Sequence, residues 1–342
     1  MSDSIEDAWR ERLIDLCGRI RGGAREALQR AQALNDLASV AAPVRQGKGD
    51  ITYAIDDIVE RSIHGWLDEV ASRTPLSLLT EDSGWMHRGP GPRGAAVELA
   101  DFDHAGPRIA LDPIDGTRNL MADLRSAWTV VSFAPPGHGQ PRFSELTAGI
   151  VSEIPDSRAA RYRVLSAARE RACRLELRAL EDDALLAERT LVADTDARVD
   201  RGYFPFFRYA PDQRPALARI EAEFFERLRE HEGADLRHVF DDQYISNAGQ
   251  LAQLAFGTYR TIVDVRGWLA RRMGRTTITS KPYDVAGAIV CARAAGCVVE
   301  GPLGTELDFA LDVVTPVDFV GFANRASAER MRPHLDAALG RA

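Results

Sequence analysis

The sequence lacks the run of about 18 or more uncharged apolar residues that a membrane-spanning helix needs. Its first residues, MSDSIEDAWRERLIDL, also lack the basic segment followed by an apolar segment that marks a secretory signal peptide. These two absences predict a cytoplasmic protein with no membrane partner.

Concentrated basic patches are absent as well. The 43 Lys and Arg residues are spread along the chain and are outnumbered by 51 Asp and Glu residues, which gives a formal net charge of −8. Because binding to a nucleic-acid backbone needs a concentrated basic face, nucleic acid is not expected as a partner. An acidic protein that binds an anionic substrate needs local positive charge, and bound metal cations are one way to supply it.

Cysteine is scarce, and its spacing excludes the common zinc motifs. The four residues Cys17, Cys173, Cys291 and Cys297 form no CxxC pair, and no histidine follows them at a ligand spacing. We therefore expect structural thiols in a reducing compartment. The seven histidines show no grouping, and none receives a catalytic role.

The length of 342 residues favours two domains over one, and 45% hydrophobic residues with 27% charged residues are typical of a globular protein. Helical periodicity followed by short strands predicts a layered, mixed α/β domain over residues 1–155. Alternating helices and strands predict a second α/β domain over residues 156–342. Within it, the stretch 156–245 is atypical, since residues 158–189 carry many charges and fit either strands with a charged hairpin or a helix.

The run DPIDGT at 112–117 carries the clearest chemical signal. A short predicted strand ends at Asp112, and Pro113 restricts the backbone so that a turn can direct Asp112, Asp115 and the Ile114 carbonyl toward one point. Hard divalent cations prefer such oxygen ligands, and magnesium also keeps positions for water and a substrate phosphate.

The next two residues, Gly116 and Thr117, fit the binding of an anion. A glycine lets backbone N–H groups approach a phosphate oxygen, and a helix that begins at Thr117 or Arg118 would direct its positive end at the anion. The bare spacing of two aspartates also fits a tight turn with a helix cap. The full six-residue string favours the metal and phosphate interpretation.

At this point the sequence resembles the inositol monophosphatase superfamily, which includes fructose-1,6-bisphosphatases and nucleotide-3′-phosphate phosphatases. The string LDPIDGTRNL at 111–120 resembles the signature of that family. LLTEDSG at 78–84 resembles its strand that ends in paired acids, and YDVAGAIVCARAAGCVVEG at 283–301 resembles its helix that opens with an aspartate. DITYAIDDIVERSI at 50–63 resembles its first conserved helix. The resemblance implies an alternating α-β-α-β-α sandwich of two mixed α/β domains.

The resemblance also implies roles for individual residues. The metal ligands would be Glu81, Asp112, the Ile114 carbonyl, Asp115 and Asp284. Thr117, supported by Glu81, would activate a metal-bound water, and Asp56 would contact the Thr117 hydroxyl. The substrate phosphate would be bound by Asp115, Asp284 and the N–H groups of Gly116 and Thr117. Asp82 and Lys48 are further candidates for the site.

The implied activity is that of a magnesium-dependent phosphomonoesterase, with two or three Mg²⁺ per site, Mn²⁺ as a substitute and Li⁺ as an inhibitor. The substrate would be a small phosphorylated polyol or sugar, such as inositol monophosphate or fructose 1,6-bisphosphate. A homodimer is one assembly that the resemblance suggests, because dimers are common among the relatives, while the sequence itself does not indicate an oligomeric state. Inositol-specific relatives carry a glutamate seven residues before the helix aspartate, where this chain has Thr277. The run VDVRG at 263–267 instead resembles the broad-specificity microbial branch and makes Asp264 and Arg266 candidates for substrate recognition.

Two other functions stay open from the sequence. A nucleotide 3′-phosphate phosphatase would need a surface for base stacking, which the aromatic run at 203–209 could supply, although core packing is the simpler interpretation of that run. A binding or regulatory protein could also retain the fold without catalysis.

Overall fold

The structure is a computed structural model that describes residues 5–34, 36–46, 51–200, 202–209 and 211–340. Its helices, in chain order, are α1 Ile5–Ala33, α2 Leu37–Val40, α3 Ala54–Ala71, α4 Thr117–Met121, α5 Arg214–Glu232, α6 Asn247–Ala255, α7 Arg266–Arg272, α8 Pro282–Ala294 and α9 Arg325–Ala338. The strands are β1 Pro43–Gln46, β2 Ile51–Tyr53, β3 Leu76–Thr80, β4 Gly84–Pro90, β5 Ala96–Glu98, β6 Arg108–Asp115, β7 Ala127–Ala134, β8 Ala148–Ile154, β9 Arg161–Ala168, β10 Cys173–Ala179, β11 Leu185–Leu191, β12 Gly202–Tyr203, β13 Val239–Phe240, β14 Thr261–Asp264, β15 Val298–Glu300 and β16 Phe319–Phe322.

A nine-stranded sheet forms the centre of the fold, in the order β11-β10-β9-β8-β7-β6-β3-β4-β5. Only β3 and β6 run parallel within it, and the other neighbouring strands are antiparallel. All eight side chains of the middle strand β7 are buried, as expected when both faces of a sheet are covered by helices. The parallel pair brings the ends of β3 and β6 to the same edge of the sheet.

Five layers result from this arrangement. Helices α1 and α3 cover one face of the large sheet, and α6 and α8 cover the other face. Helices α6 and α8 also pack on a second sheet of three strands in the order β14-β16-β15, whose far face carries α5 and α9. Side chains of β14 alternate between the two cores, with Ile262 toward α6 and α8 and Val263 toward α5 and α9. The predicted α-β-α-β-α sandwich is confirmed.

The charged segment 158–189 forms strands rather than a helix. Strands β9, β10 and β11 continue the large sheet directly from β8. The predicted domain boundary at residue 155 therefore falls between two paired strands, and the sheet extends across it to Leu191. The presence of two separate domains stays a prediction. The four cysteines are all buried free thiols, in agreement with a structural role.

Two glycines allow α8 to lie directly on the large sheet. A Cβ atom on Gly287 would overlap the Val131 carbonyl oxygen of β7, and a Cβ atom on Gly149 of β8 would overlap the Gly287 carbonyl oxygen. The backbone of the helix thus touches the backbone of the sheet. Because Asp284 lies one turn before Gly287, this contact also sets the position of that carboxylate.

A buried hydroxyl fastens the loop after β5 to the large sheet. Ser77 Oγ lies 2.7 Å from His87 Nδ1 and 2.8 Å from His104 Nε2. Burial lowers the pKa of both histidines below the usual value. The neutral rings are thus the form that the folded protein favours.

We expect these histidines to make the folded protein less stable as the pH falls below about 6.5, the ordinary histidine pKa. The unfolded chain then binds protons that the folded protein resists, so the free energy of unfolding decreases. Urea unfolding between pH 7.5 and 5 measures the slope, which should become shallower in a His87→Gln/His104→Gln variant. His138→Gln is the control because the His138 side chain is 93% exposed. Equal slopes in all three proteins would contradict the assignment.

No helix within the described residues is both long enough and apolar enough to cross a membrane.

Candidate active site

The site is built around the turn that joins β6 to α4. Pairing between β6 and β7 is irregular between Asp112 and Asp115, where Pro113 interrupts the strand. Gly116 then has a φ angle of 98°, and α4 begins at Thr117. A Cβ atom on Gly116 would lie 3.0 Å from the Ser246 Cβ and 3.2 Å from the Ile245 carbonyl oxygen. Both the backbone angle and the crowding therefore favour glycine at this position.

Hydrogen bonds fix the groups within the turn. The Ile114 N–H donates to Asp112 Oδ1 over 3.0 Å, and the Thr117 hydroxyl lies 2.8 Å from the Ile114 carbonyl oxygen. Thr117 Oγ1 also lies 3.2 Å from Asp56 Oδ1 on α3. The other Asp56 oxygen accepts the Tyr53 N–H over 2.8 Å. Asp56 thus contacts the Thr117 hydroxyl from the first turn of a neighbouring helix.

Asp115 connects the turn to α6. Its Oδ2 atom accepts the Ser246 hydroxyl and the Ala248 N–H, each over 2.6 Å. Ser246 is also the N-cap of α6, since its hydroxyl oxygen accepts the Gly249 N–H over 2.9 Å. The positive end of α6 therefore faces the Asp115 carboxylate, an arrangement that stabilises negative charge.

Asp284 and Glu81 reach the same cavity from two other elements. Asp284 is the third residue of α8, and its Oδ2 atom accepts the Lys281 N–H over 2.7 Å. Glu81 directly follows the last residue of β3. The neighbouring Tyr283 is buried beside the same carboxylates, and burial together with the charges of Asp284 and Glu81 raises the pKa of its phenol. A phenol donates and a carboxylate accepts, so the neutral Tyr283 hydroxyl is suited to orient Glu81.

These residues line one cavity of about 150 Å³. The predicted site residues that it contains are Asp56, Glu81, Asp112, Ile114, Asp115, Gly116, Thr117 and Asp284, together with Asp82. Lys48 lies outside the described residues. Thr277 is not part of the cavity wall, and neither is Asp264, which lies behind it and pairs with the cavity residue Arg266.

Burial, together with mutual repulsion, disfavours the charged carboxylates of the cavity. Burial raises the pKa of Asp112 well above its usual value, and the charges of Asp284, Asp115 and Glu81 raise it further. Burial and the charge of Asp115 likewise raise the pKa of Asp284. The pKa of Asp115 rises to about 6 through burial, although its hydrogen bonds to α6 oppose the increase. Such a group of carboxylates is stable in its charged form only with added positive charge.

The donor set fits hard divalent cations, since it consists of carboxylate oxygens and one backbone carbonyl around a common cavity. Across the described ranges, no three Asp, Glu, His or Cys side chains come together as a closed metal-binding cluster. The chain therefore brings the oxygen donors to one cavity but does not draw them into a single coordination sphere. Mutual repulsion gives a physical reason for that spacing.

Several cavity residues escape prediction from the sequence. Ser246 carries a detectable helix-cap signal, but nothing in the sequence shows that its hydroxyl donates to Asp115. Tyr283 precedes a predicted ligand without a motif of its own. Arg118 received no role from the sequence, and the structure places it in the cavity wall next to Tyr209, which lies 91 positions later in the chain.

Comparison with solved structures identifies the fold. Inositol monophosphatase II from Staphylococcus aureus aligns over 97% of this chain and 96% of its own, with a TM-score of 0.57 and 16% identity. The MJ0109 gene product, an inositol monophosphatase–fructose 1,6-bisphosphatase, aligns over 96% and 99%, with a TM-score of 0.61 and 13% identity. The chain has the inositol monophosphatase fold. The SuhB extragenic suppressor protein from Bartonella henselae shares it, with a TM-score of 0.57 over 96% of this chain and 98% of its own at 14% identity.

These identities are low, and they show the fold rather than the activity. No protein-family model matches the sequence, and the comparison with curated proteins found no match either.

Proposed function

We propose that the chain is a magnesium-dependent phosphomonoesterase that hydrolyses a small phosphorylated polyol or sugar. One observation carries the proposal: Glu81, Asp112, Asp115 and Asp284 line the same cavity as the Gly116–Thr117 turn. The carboxylates need cations, and the turn suits a phosphate. The shared fold with phosphatases of the inositol monophosphatase type supports the same activity.

The groups that would hold two or three Mg²⁺ ions are the carboxylates of Glu81, Asp112, Asp115 and Asp284 and the Ile114 carbonyl. Bound Mg²⁺ would supply Lewis-acid activation of water and neutralise charge on the phosphate. Mn²⁺ should substitute for Mg²⁺, and Li⁺ should inhibit.

The chain's own residues would orient the attacking water. When the Thr117 hydroxyl donates a hydrogen bond to Asp56, its oxygen can accept a hydrogen bond from a water molecule in the cavity. The Glu81 carboxylate lines the same space and can accept a proton from that water. Water would then attack phosphorus in line with the leaving oxygen, without a covalent enzyme intermediate.

The start of α4 would bind the phosphate. The first N–H groups of a helix have no partner within that helix, so those near Gly116 and Thr117 are suited to phosphate oxygens. The left-handed conformation at Gly116 sets their direction. Asp115 and Asp284 would bind the phosphate indirectly, through the cations that they hold.

Two alternative functions can be distinguished from this proposal by experiment. A nucleotide 3′-phosphate phosphatase is favoured by Tyr209, because its ring lines the cavity and offers a surface for a base. A regulatory protein that retains the fold would bind phosphate esters without cleaving them.

Phosphate release from a panel of inositol, sugar and nucleotide phosphates, with and without Mg²⁺, tests all three functions. We expect Mg²⁺-dependent release that is fastest on a polyol or sugar phosphate. A clear preference for a nucleoside 3′-phosphate would favour the first alternative. Release from no ester, combined with no effect of Mg²⁺ on thermal unfolding, would reject the proposal.

A Tyr283→Phe variant should need more Mg²⁺ for half-maximal activity, since it loses the buried hydroxyl that lies within electrostatic reach of Glu81. Loss of a residue that orients a metal ligand typically costs about 10- to 100-fold in metal affinity or activity. Activity measured against Mg²⁺ concentration gives the shift. Tyr203→Phe is the matched control, because Tyr203 is partly exposed and lies outside the cavity wall. An identical Mg²⁺ dependence in both variants would show that Tyr283 does not position Glu81.

A further inference from the structure

One further acidic side chain in the cavity wall is not among the proposed cation ligands. Glu60 lies on α3, one helical turn after Asp56, and both residues line the cavity. Residues four positions apart share a face of a helix. Asp56 contacts Thr117 on the turn after β6. Glu60 contacts a different turn, the one that joins β3 to β4 and carries Glu81.

Glu60 holds the β3–β4 turn at both ends. Thr80, the last residue of β3, pairs with Gly84, the first residue of β4, so residues 81–83 form the connection. The Thr80 hydroxyl donates to Glu60 Oε1 over 3.1 Å, and the Ser83 hydroxyl donates to the same oxygen over 3.0 Å. The Ser83 N–H also donates to Thr80 Oγ1 over 3.3 Å. One carboxylate oxygen thus connects the residue before Glu81 with the last residue of the turn.

These contacts are largely shielded from water. Only 12% of the Glu60 side chain is exposed, and Thr80 is buried. Hydrogen bonds to a charged carboxylate are stronger than those between neutral groups, and removal from water strengthens them further. The same Glu60 oxygen lies 3.6 Å from His64 Nε2, one turn further along α3. The carboxylate therefore has a fixed place on the helix from which it can restrain the turn.

We propose that Glu60 is a positioning residue for the metal site, which holds the β3–β4 turn through Thr80 and Ser83 and thereby sets the direction of the Glu81 carboxylate. Without this restraint the turn gains conformational freedom, and cation binding would have to order it again. Helix α3 then orients two parts of the site, because Asp56 contacts the turn after β6 from the same face. The inference rests on the proposed function for the role of Glu81 as a ligand.

Two substitutions of Glu60 test the positioning role. Glu60→Ala removes the acceptor, so the Mg²⁺ concentration for half-maximal activity should rise by about tenfold or more. Glu60→Gln keeps an oxygen to which both hydroxyls can donate, so it should restore most of the wild-type Mg²⁺ dependence. If Glu60 acted only through its charge, or were itself a ligand, glutamine would be as damaging as alanine. That result would overturn the positioning role.

A Ser83→Ala variant removes one of the two donors without changing any charge. It should raise the Mg²⁺ requirement by about fivefold, as expected for one hydrogen bond. It should add little to Glu60→Ala, because the bond is already absent there. Independent, fully additive effects would contradict the proposal. Ser83→Ala also keeps the test available if Glu60→Ala does not fold.

The control is Glu69→Ala, on the same helix as Glu60. Glu69 forms an ion pair with Arg19 and lies outside the wall of the metal cavity. Its replacement should leave the Mg²⁺ dependence unchanged. A shift as large as that in Glu60→Ala would show a general effect of α3 and would overturn the specific role of Glu60.

Thermal unfolding in Mg²⁺ separates this inference from the proposed function, since it needs no turnover. A fixed Mg²⁺ concentration should raise the unfolding temperature less in Glu60→Ala than in the wild type and in Glu60→Gln. If this pattern appears although no ester is cleaved, the positioning role is supported and the proposed function is wrong. If esters are cleaved and all three proteins respond equally to Mg²⁺, the proposed function stands and the positioning role is wrong.

Discussion

An Asp112→Asn variant is expected to lose phosphatase activity by about 10²-fold or more, while its metal-free form unfolds at a higher temperature than the wild type. Burial and the charges of Asp284, Asp115 and Glu81 raise the pKa of Asp112, so its ionised form opposes folding at neutral pH. Asparagine removes that charge and can still accept the Ile114 N–H through its side-chain oxygen. The same substitution thus relieves repulsion and removes one of the proposed cation ligands.

The gain in stability from the Asp112→Asn substitution should depend on pH. A carboxylate whose pKa is raised on folding stabilises the folded state at low pH, and this contribution is lost as the pH rises through the folded-state pKa. The gain in unfolding temperature should therefore be largest near pH 7 to 8, at about 2 °C or more, and should shrink toward pH 4.

Addition of Mg²⁺ should raise the unfolding temperature of the wild type more than that of Asp112→Asn. Asp57→Asn is the matched control, since Asp57 lies on the exposed side of α3 in an ion pair with Arg61. It should change neither activity nor the response to Mg²⁺. Full activity in Asp112→Asn would remove the basis for the enzyme proposal.

A Gly287→Ala variant is expected to destabilise the protein by about 3 kcal/mol and to reduce activity as well. The added methyl group would meet the Val131 carbonyl, which is part of a strand and cannot move aside as a side chain can. Helix α8 would have to shift away from β7 and would carry Asp284 with it. Urea unfolding and phosphate release measure the two consequences.

Gly22→Ala provides the opposite case. Gly22 lies on the exposed side of α1, and nothing lies within 4 Å of its added Cβ. Alanine should stabilise the helix there by about 0.5 to 1 kcal/mol. If Gly287→Ala is as stable as the wild type, the close packing of α8 does not set the position of Asp284.

Features of the site that arise from residues adjacent in the sequence were predictable. The DPIDGT turn, the helix that follows it at Thr117 and the strand that ends before Glu81 all arise from local backbone preferences. Asp284 falls in the first turn of a helix that begins with Pro282, a position that both residue types favour. The order of layers was predictable through the family resemblance.

Contacts between distant parts of the chain were not predictable. In β9 to β11, charged residues on an exposed sheet edge obscure the alternation that identifies a strand. The aromatic run at 203–209 divides between roles that the sequence cannot separate, because Phe204 and Phe206 enter the core while Phe207 and Tyr209 line the cavity. Asp264 has the sequence context of a substrate ligand, yet it is buried against Arg266.

The bonds from Ser246 and Ala248 to Asp115 have a consequence for biosynthesis. Asp115 leaves the ribosome more than 130 residues before the helix that binds its carboxylate, and Asp284 follows later still. A nascent chain therefore carries this acidic turn without the partners that orient it. Cation affinity should arise only when the last third of the protein has been made and folded, so incomplete chains would not compete with the finished protein for Mg²⁺.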